Sequence, residues 1–201
     1  MAQTPTNYVE KVDAIAAMER SGHERLMNSN NVIAASNNFD VKYYRCEWQV
    51  DPAVRFIKGK VTVYFTITSS ANSISFDLMS QLVTDSVKQR NILLNYLHAN
   101  NVLQVNFANP LSAGAFDSVS IFYNGIPATT GFGSFIQTTH AGVPVIWTLS
   151  EPYGSRDWWP CKNGLDDKVD SIDVFITNPS QNKAASSGFL QSEVASEQNN
   201  N

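Results

Sequence analysis

From Phe39 onward apolar and polar positions alternate along the chain. Over residues 39–50, Lys42, Tyr44, Cys46, Trp48 and Val50 fall on one side of an extended backbone, and Val41, Tyr43, Arg45, Glu47 and Gln49 on the other. That period of two predicts a strand with one mostly apolar face. Asp51-Pro52 turns the chain, and Val61, Val63, Phe65 and Ile67 repeat the spacing in a second long strand. Shorter β-branched and aromatic runs follow at 73–78, 83–87, 91–97, 102–107, 118–123, 134–138, 145–149 and 171–177. Turn signals separate them, among them Ala99-Asn100-Asn101, Asn109-Pro110 and Asn124-Gly125. Many short strands with no helical period between them predict an all-β fold, an antiparallel β-sandwich or two-sheet barrel, and exclude a parallel α/β design.

The first residues follow a different period. Tyr8, Val12 and Ile15 recur at helical spacing among the strong helix formers Ala14, Ala16 and Ala17, and Thr4-Pro5-Thr6-Asn7 supplies capping chemistry. A helix over 7–26 is expected, weakened near its end by Gly22, and the Asn- and Ser-rich stretch 28–38 reads as a linker. The expected domains are therefore 1–38, an N-terminal helical appendage with its linker, and 39–201, the β domain. After Asn178 the chain turns polar, with a weak strand start at Gly188-Phe189-Leu190-Gln191, and it ends Glu197-Gln-Asn-Asn-Asn201. Such an ending predicts a chain cut from something longer.

Composition narrows the function classes. With 201 residues, 43% hydrophobic and 16% charged, the chain has the material for a sizeable core. A net charge of -4 with scattered basic residues argues against nucleic acid and against an anionic membrane as partners. No apolar run approaches the roughly 18 to 20 residues of a membrane span. Met1-Ala2-Gln3 leads straight into polar sequence, so no leader is visible. Abundant Asn, Ser and Thr favour a periplasmic or secreted protein whose leader has been removed, with the cytoplasm as the alternative. Cys46 and Cys161 are too few for a disulfide framework. Paired, they would close a loop of roughly 115 residues worth ~4 to 5 kcal/mol; unpaired, they are two buried thiols, the reading preferred here.

A search for chemistry finds little that is self-sufficient. His23-Glu24 lacks the second histidine that a metalloprotease helix needs one turn on, since position 27 is Met. His98 beside the turn at Ala99-Asn100 and His140 in the expected loop 139–142 read as solvated side chains rather than ligands, and Gly131-Phe-Gly-Ser-Phe135 has the wrong spacing for a nucleophile elbow and reads as a bend into a strand. No catalytic residue and no metal ligand is assigned. What remains is 147–163, which holds Trp147, Trp158, Trp159, Cys161 and the Glu151-Pro152 break. Trp158 and Trp159 read as packing that plugs the end of the sandwich, with Arg156 paired to Asp157 or Glu151. Glu151 reads as a group that the sheet end aims at a neighbour.

Glu151-Pro-Tyr-Gly-Ser-Arg156-Asp-Trp-Trp-Pro160-Cys161 resembles a signature of the aminopeptidase N family of zinc metallopeptidases, the gluzincins of peptidase family M1. There, near the end of an N-terminal saddle-shaped β domain, Thr-Gln-x-Glu-Pro leads to Arg and then to Pro-Cys. Lys168 matches a lysine of that pattern, 172–179 matches the strand and proline that follow, and Val50-Asp51-Pro52 with Gly59-Lys60-Val61 matches the opening of the domain. The resemblance covers most of the chain and implies a saddle-like two-sheet β domain. It further implies that a downstream catalytic domain carries the zinc on His-Glu-x-x-His and a distant Glu, so that this chain alone is no enzyme, has no cofactor of its own and partners that domain. The parent would remove N-terminal residues from peptides. By the same resemblance Glu151 contributes to binding the free α-amine of the substrate. Leu149 stands where the family has a glutamine lining the first side-chain pocket, which implies an apolar wall and a preference for apolar N-terminal residues. The acidic motif that follows Pro-Cys in the family is replaced by Asn163-Gly164-Leu165-Asp166-Asp167.

A rival from another class is a free-standing binding or adhesive β-sandwich, such as a carbohydrate-binding module using Trp158 and Trp159 as stacking platforms. A third is a scaffold or interface domain.

Overall fold

The structure is a computed structural model that describes residues 35–128, 134–151, 153–164 and 166–195, together with Asp13, Ala16, Ala17 and Arg20, which are helical. The remainder of the expected helix over 7–26, the pair His23-Glu24, the glycine bend at 131–133, Pro152 and the end of the tail lie outside the described residues.

The strands are β1 (Phe39–Asp51), β2 (Val54–Ile67), β3 (Ala71–Asp77), β4 (Leu82–Gln89), β5 (Ile92–Leu93), β6 (Asn95–Ala99), β7 (Val102–Leu111), β8 (Phe116–Gly125), β9 (Phe135–His140), β10 (Val143–Thr148) and β11 (Ser171–Thr177). They form a six-stranded sheet in the order β11-β1-β2-β8-β4-β5, a three-stranded sheet β3-β7-β6 and a two-stranded sheet β10-β9. The all-β expectation holds, and the pairings are antiparallel with one exception: β11 lies parallel to β1, from Tyr43 opposite Ser171 to Gln49 opposite Thr177.

Two local departures have physical causes. The even-numbered face expected for β1 breaks near its start, because a bulge shifts the register between Val41 and Tyr43. Phe39 and Val41 are buried before the bulge, and Tyr44, Cys46 and Trp48 after it. The extra residue lets both halves face the core and leaves Lys42 to pair with Asp40 at 2.6 Å. The single strand expected over 91–97 divides at Leu94, whose N–H donates to Val87 O at 2.9 Å while its side chain is buried. The chain there passes from the large sheet to the small one. Tight turns use left-handed residues where hairpin twist demands them: Asn100 and Asn101 at φ 54° and 64°, Ala141 and Gly142 at 49° and 81°.

The core lies between the large and small sheets. Phe39 of β1 packs edge-on against Phe65 and Phe76, with ring centroids 5.8 and 5.4 Å away, and so links the two layers. Ile57, Val61, Val63, Ile74, Leu103, Val105, Val119 and Ile121 fill the space around it with no exposed surface.

Candidate functional site

β9 and β10 pair from Thr148 opposite Phe135 to Val143 opposite His140, and Leu149 N–H extends the ladder by donating to Ser134 O at 3.3 Å. The chain then leaves the hairpin at Ser150 and Glu151. Glu151 is exposed and stands in a turn, and Leu149 just before it is 38% exposed. Both residues singled out from the sequence therefore face outward, next to one another at the end of a strand. Neither lines the two concavities beside this region. One is a groove of about 560 Å³ bounded by Arg55, Gln81, Ile126, Pro127 and Ala128. The other, about 230 Å³, is bounded by residues that include Tyr44, Trp159, Cys161, Lys162, Asp167 and Ile172.

The segment behind Glu151 is held from several sides. Gly154 N–H closes a turn onto Ser150 O at 2.7 Å, and a Cβ at Gly154 would sit 2.8 Å from Ser134 Cβ, so only glycine fits. A 3-10 turn, Ser155–Asp157, follows. The buried Asp157 carboxylate accepts from the Ser134 hydroxyl, and Asp157 O accepts from Ala128 N–H at 3.1 Å. Trp158 and Trp159 are 8% and 9% exposed. Trp158 packs against Trp48 at 4.5 Å and Phe135 at 6.1 Å, and Trp159 against Tyr44 at 5.1 Å. The indole N–H of Trp158 donates to Ser150 Oγ at 2.9 Å, and Tyr123 Oη donates to Trp158 O at 3.0 Å. Trp158 and Trp159 are thus the plug expected of them, and rings buried to this degree present no face on which a sugar could stack.

Beyond the tryptophans the loop is joined to the small sheet. Cys161 and Asp77 exchange backbone hydrogen bonds of 2.8 and 3.1 Å, and the Asp77 carboxylate accepts from the N–H groups of Ala35 and Asn163. Lys162 Nζ donates to Asp167 Oδ2 at 2.7 Å and to Phe39 O at 2.8 Å, an ion pair almost wholly buried against β1. Spacing along the chain gives no sign of Tyr123, Ser134, Asp77 or Lys162, because each acts on a partner that only folding brings near.

The cysteines are free and buried. Burial pushes both thiols well above their ordinary range, with the neighbouring carboxylates of Glu47 at Cys46 and Asp77 at Cys161 adding to the shift. Thiols held neutral are poor metal ligands. Among the described residues no group of three or more His, Cys, Asp and Glu is placed to hold a metal ion.

No sequence-family model matches this chain. No curated protein sequence matches it either. Solved structures do. The M1 zinc metallopeptidase from Deinococcus radiodurans superposes with a TM-score of 0.71 at 21% identity, over 82% of this chain and 39% of that one. A two-domain M1 zinc metallopeptidase variant bound to L-arginine gives 0.71 at 22% identity, over 81% and 38%. Native yeast LTA4 hydrolase gives 0.61 at 17% identity, over 74% and 24%. This chain therefore spans well under half the length of the structures it matches, and over that share it has the fold found in M1 zinc metallopeptidases.

Proposed function

We propose that this chain is the N-terminal β domain of a zinc aminopeptidase, which caps a catalytic domain and offers Glu151 to the free α-ammonium of a peptide substrate. One observation carries the reading: an exposed carboxylate stands at the end of β10, on a turn fixed by buried tryptophans, in a chain with the fold of M1 zinc metallopeptidases. One of those structures holds a Tyr-Ser-Ala substrate and another L-tryptophan, ligands that carry a free amine. The zinc and the hydrolytic groups belong to the remainder of the parent polypeptide. The task of this domain is register. A carboxylate on a rigid support accepts from an ammonium and fixes how far the peptide enters, so that the first peptide bond meets the catalytic groups. Leu149, exposed two residues earlier, supplies an apolar wall for the first side chain.

The test is Glu151→Gln in the complete polypeptide, assayed on amino-acid anilides. A charge-assisted hydrogen bond of about 1.5 to 3 kcal/mol corresponds to a loss of roughly tenfold to a hundredfold in kcat/KM, carried largely by KM. Unchanged kinetics would remove the assignment. Leu149→Gln is expected to lower the preference for leucine and phenylalanine anilides over arginine anilide, and an unchanged ratio would count against the pocket wall.

A further inference from the structure

We propose that the outer face of the β9–β10 hairpin is a docking surface covered by the catalytic part of the same longer polypeptide. This rests on the function proposed above and says where the two parts meet.

The register sorts the hairpin into two faces. Phe135 is 1% exposed, Ile146 packs on the core and Gln137 Nε2 donates to Pro52 O at 2.7 Å, so that set of residues faces inward. Their neighbours face away: Ile136 opposite Trp147, Thr138 opposite Val145 and His140 opposite Val143. Val143 and Trp147 are 58% and 42% exposed, and Leu149 continues the apolar strip to Glu151.

This surface lacks what the chain uses elsewhere to keep an open sheet in water. The outer face of the six-stranded sheet carries Arg45, Glu47, Lys60 and Lys88, with Lys60 paired to Glu47 at 2.7 Å and Lys88 lying over the Phe122 ring. Between Asp117 and Glu151 there is no Asp, Glu, Lys or Arg. Among the described residues the hairpin pairs with no third strand, so it offers open edges as well as an apolar face. Proteins that leave such a ribbon in solvent protect it with charges or proline on the edges, and here Pro144 alone serves that purpose.

Three considerations select the occupant. The strip is continuous with Glu151, so whatever meets the carboxylate lies on this side of the hairpin. The M1 structures contain more than twice the chain length that this fold occupies, which supplies a body large enough to cover it. The inner face is seated on the core, so the hairpin is a firm support for a neighbour to pack against.

Trp147 is the natural reporter, because Trp48, Trp158 and Trp159 are buried. Acrylamide quenching, with the Trp147→Phe variant used to isolate the Trp147 signal, is compared between the 201-residue chain and the complete polypeptide. The expected result is a severalfold lower quenching constant for Trp147 in the complete polypeptide. Val145→Lys or Val143→Lys should restore quenching there and split its thermal unfolding into two transitions, while leaving the melting temperature of the 201-residue chain unchanged. Equal quenching in both chains overturns the proposal. So does shielding in the 201-residue chain that grows with concentration alongside a sedimenting dimer, which would assign the face to a second copy. A complete polypeptide whose peptidase activity depends on Glu151 while Trp147 stays open to quencher removes the docking surface and leaves the function. Shielding without any peptidase activity removes the proposed function alone.

Discussion

Gly59 has no side chain, and the space one would need belongs to Tyr123: a Cβ there would lie 2.5 Å from the Tyr123 ring. That ring is fully buried, and its hydroxyl donates to the carbonyl of Trp158, so the glycine on β2 indirectly sets the height of the tryptophan plug behind Glu151. Gly59→Ala is therefore expected to destabilise the chain by about 1 to 3 kcal/mol through displacement of a packed ring. Tyr123→Phe keeps the ring and loses only the hydrogen bond, for about 1 kcal/mol. Urea unfolding followed by tryptophan fluorescence separates the two, and a Gly59→Ala variant as stable as the parent would refute the packing argument. The plug itself was legible in the sequence, because two tryptophans in a loop must find cover. Its fastenings were not: Tyr123 acts across 35 residues and Asp77 across 86, and no spacing along a chain encodes such a contact. Glu151 could be singled out only because its neighbours form a pattern with Pro160 and Cys161.

At the scale of elements, alternation predicts strands well where each has one buried face, as in β2 and β8, whose burial follows a period of two over much of their length. It fails where the backbone inserts a residue or changes sheets. The bulge in β1 moves Val41 to the buried side and Lys42 off it, and the break at Leu94 turns one expected strand into β5 and β6. Neither leaves a mark in composition. The parallel placement of β11 beside β1 was equally hidden, since the stretch 150–170 that leads from β10 to β11 reads only as loop. What joins this stretch to the small sheet is Asp77. Its backbone pairs with Cys161 and its carboxylate receives the N–H groups of Ala35 and Asn163, at 3.3 and 3.2 Å. Asp77→Ala leaves those donors in a buried site without a carboxylate and is expected to cost about 1 to 3 kcal/mol. Hydrogen exchange at the Ala35 and Asn163 amides should accelerate more than exchange in β2. A uniform change across the molecule would mean that Asp77 is not the local fastening.

For the molecule as a whole, the seam between sheets and loop is lined with groups that can lose a proton only by paying for burial. Cys46, Cys161, Tyr44 and Tyr123 all have their ionisation pushed upward, in each case chiefly by burial. In the unfolded chain a thiol ionises near pH ~8.5 and a phenol near pH ~10. Above those values the unfolded state releases protons that the folded state still holds, so stability is complete below pH ~8.5 and falls as pH rises. Each group contributes up to ~1.4 kcal/mol per pH unit, so the two thiols together remove roughly 2 to 3 kcal/mol between pH ~8.5 and ~9.5, and the phenols steepen the fall above ~10. Against a total stability of order 5 to 15 kcal/mol, that is a substantial fraction of the margin and lowers resistance to urea measurably before the chain unfolds. The general repulsion of a chain with net charge -4 also grows with pH, but salt near 0.15 M shortens its range to about 8 Å and leaves the buried groups untouched. Urea midpoints measured from pH 7 to 10.5 at that salt should be level to about pH 8 and then decline. Replacing Cys46 and Cys161 together by alanine lowers the whole curve through lost packing but flattens its slope between pH 8.5 and 9.5. A decline equally steep without the thiols would assign the alkaline loss to other groups, and a midpoint constant from pH 8 to 10 would contradict the burial from which it is argued.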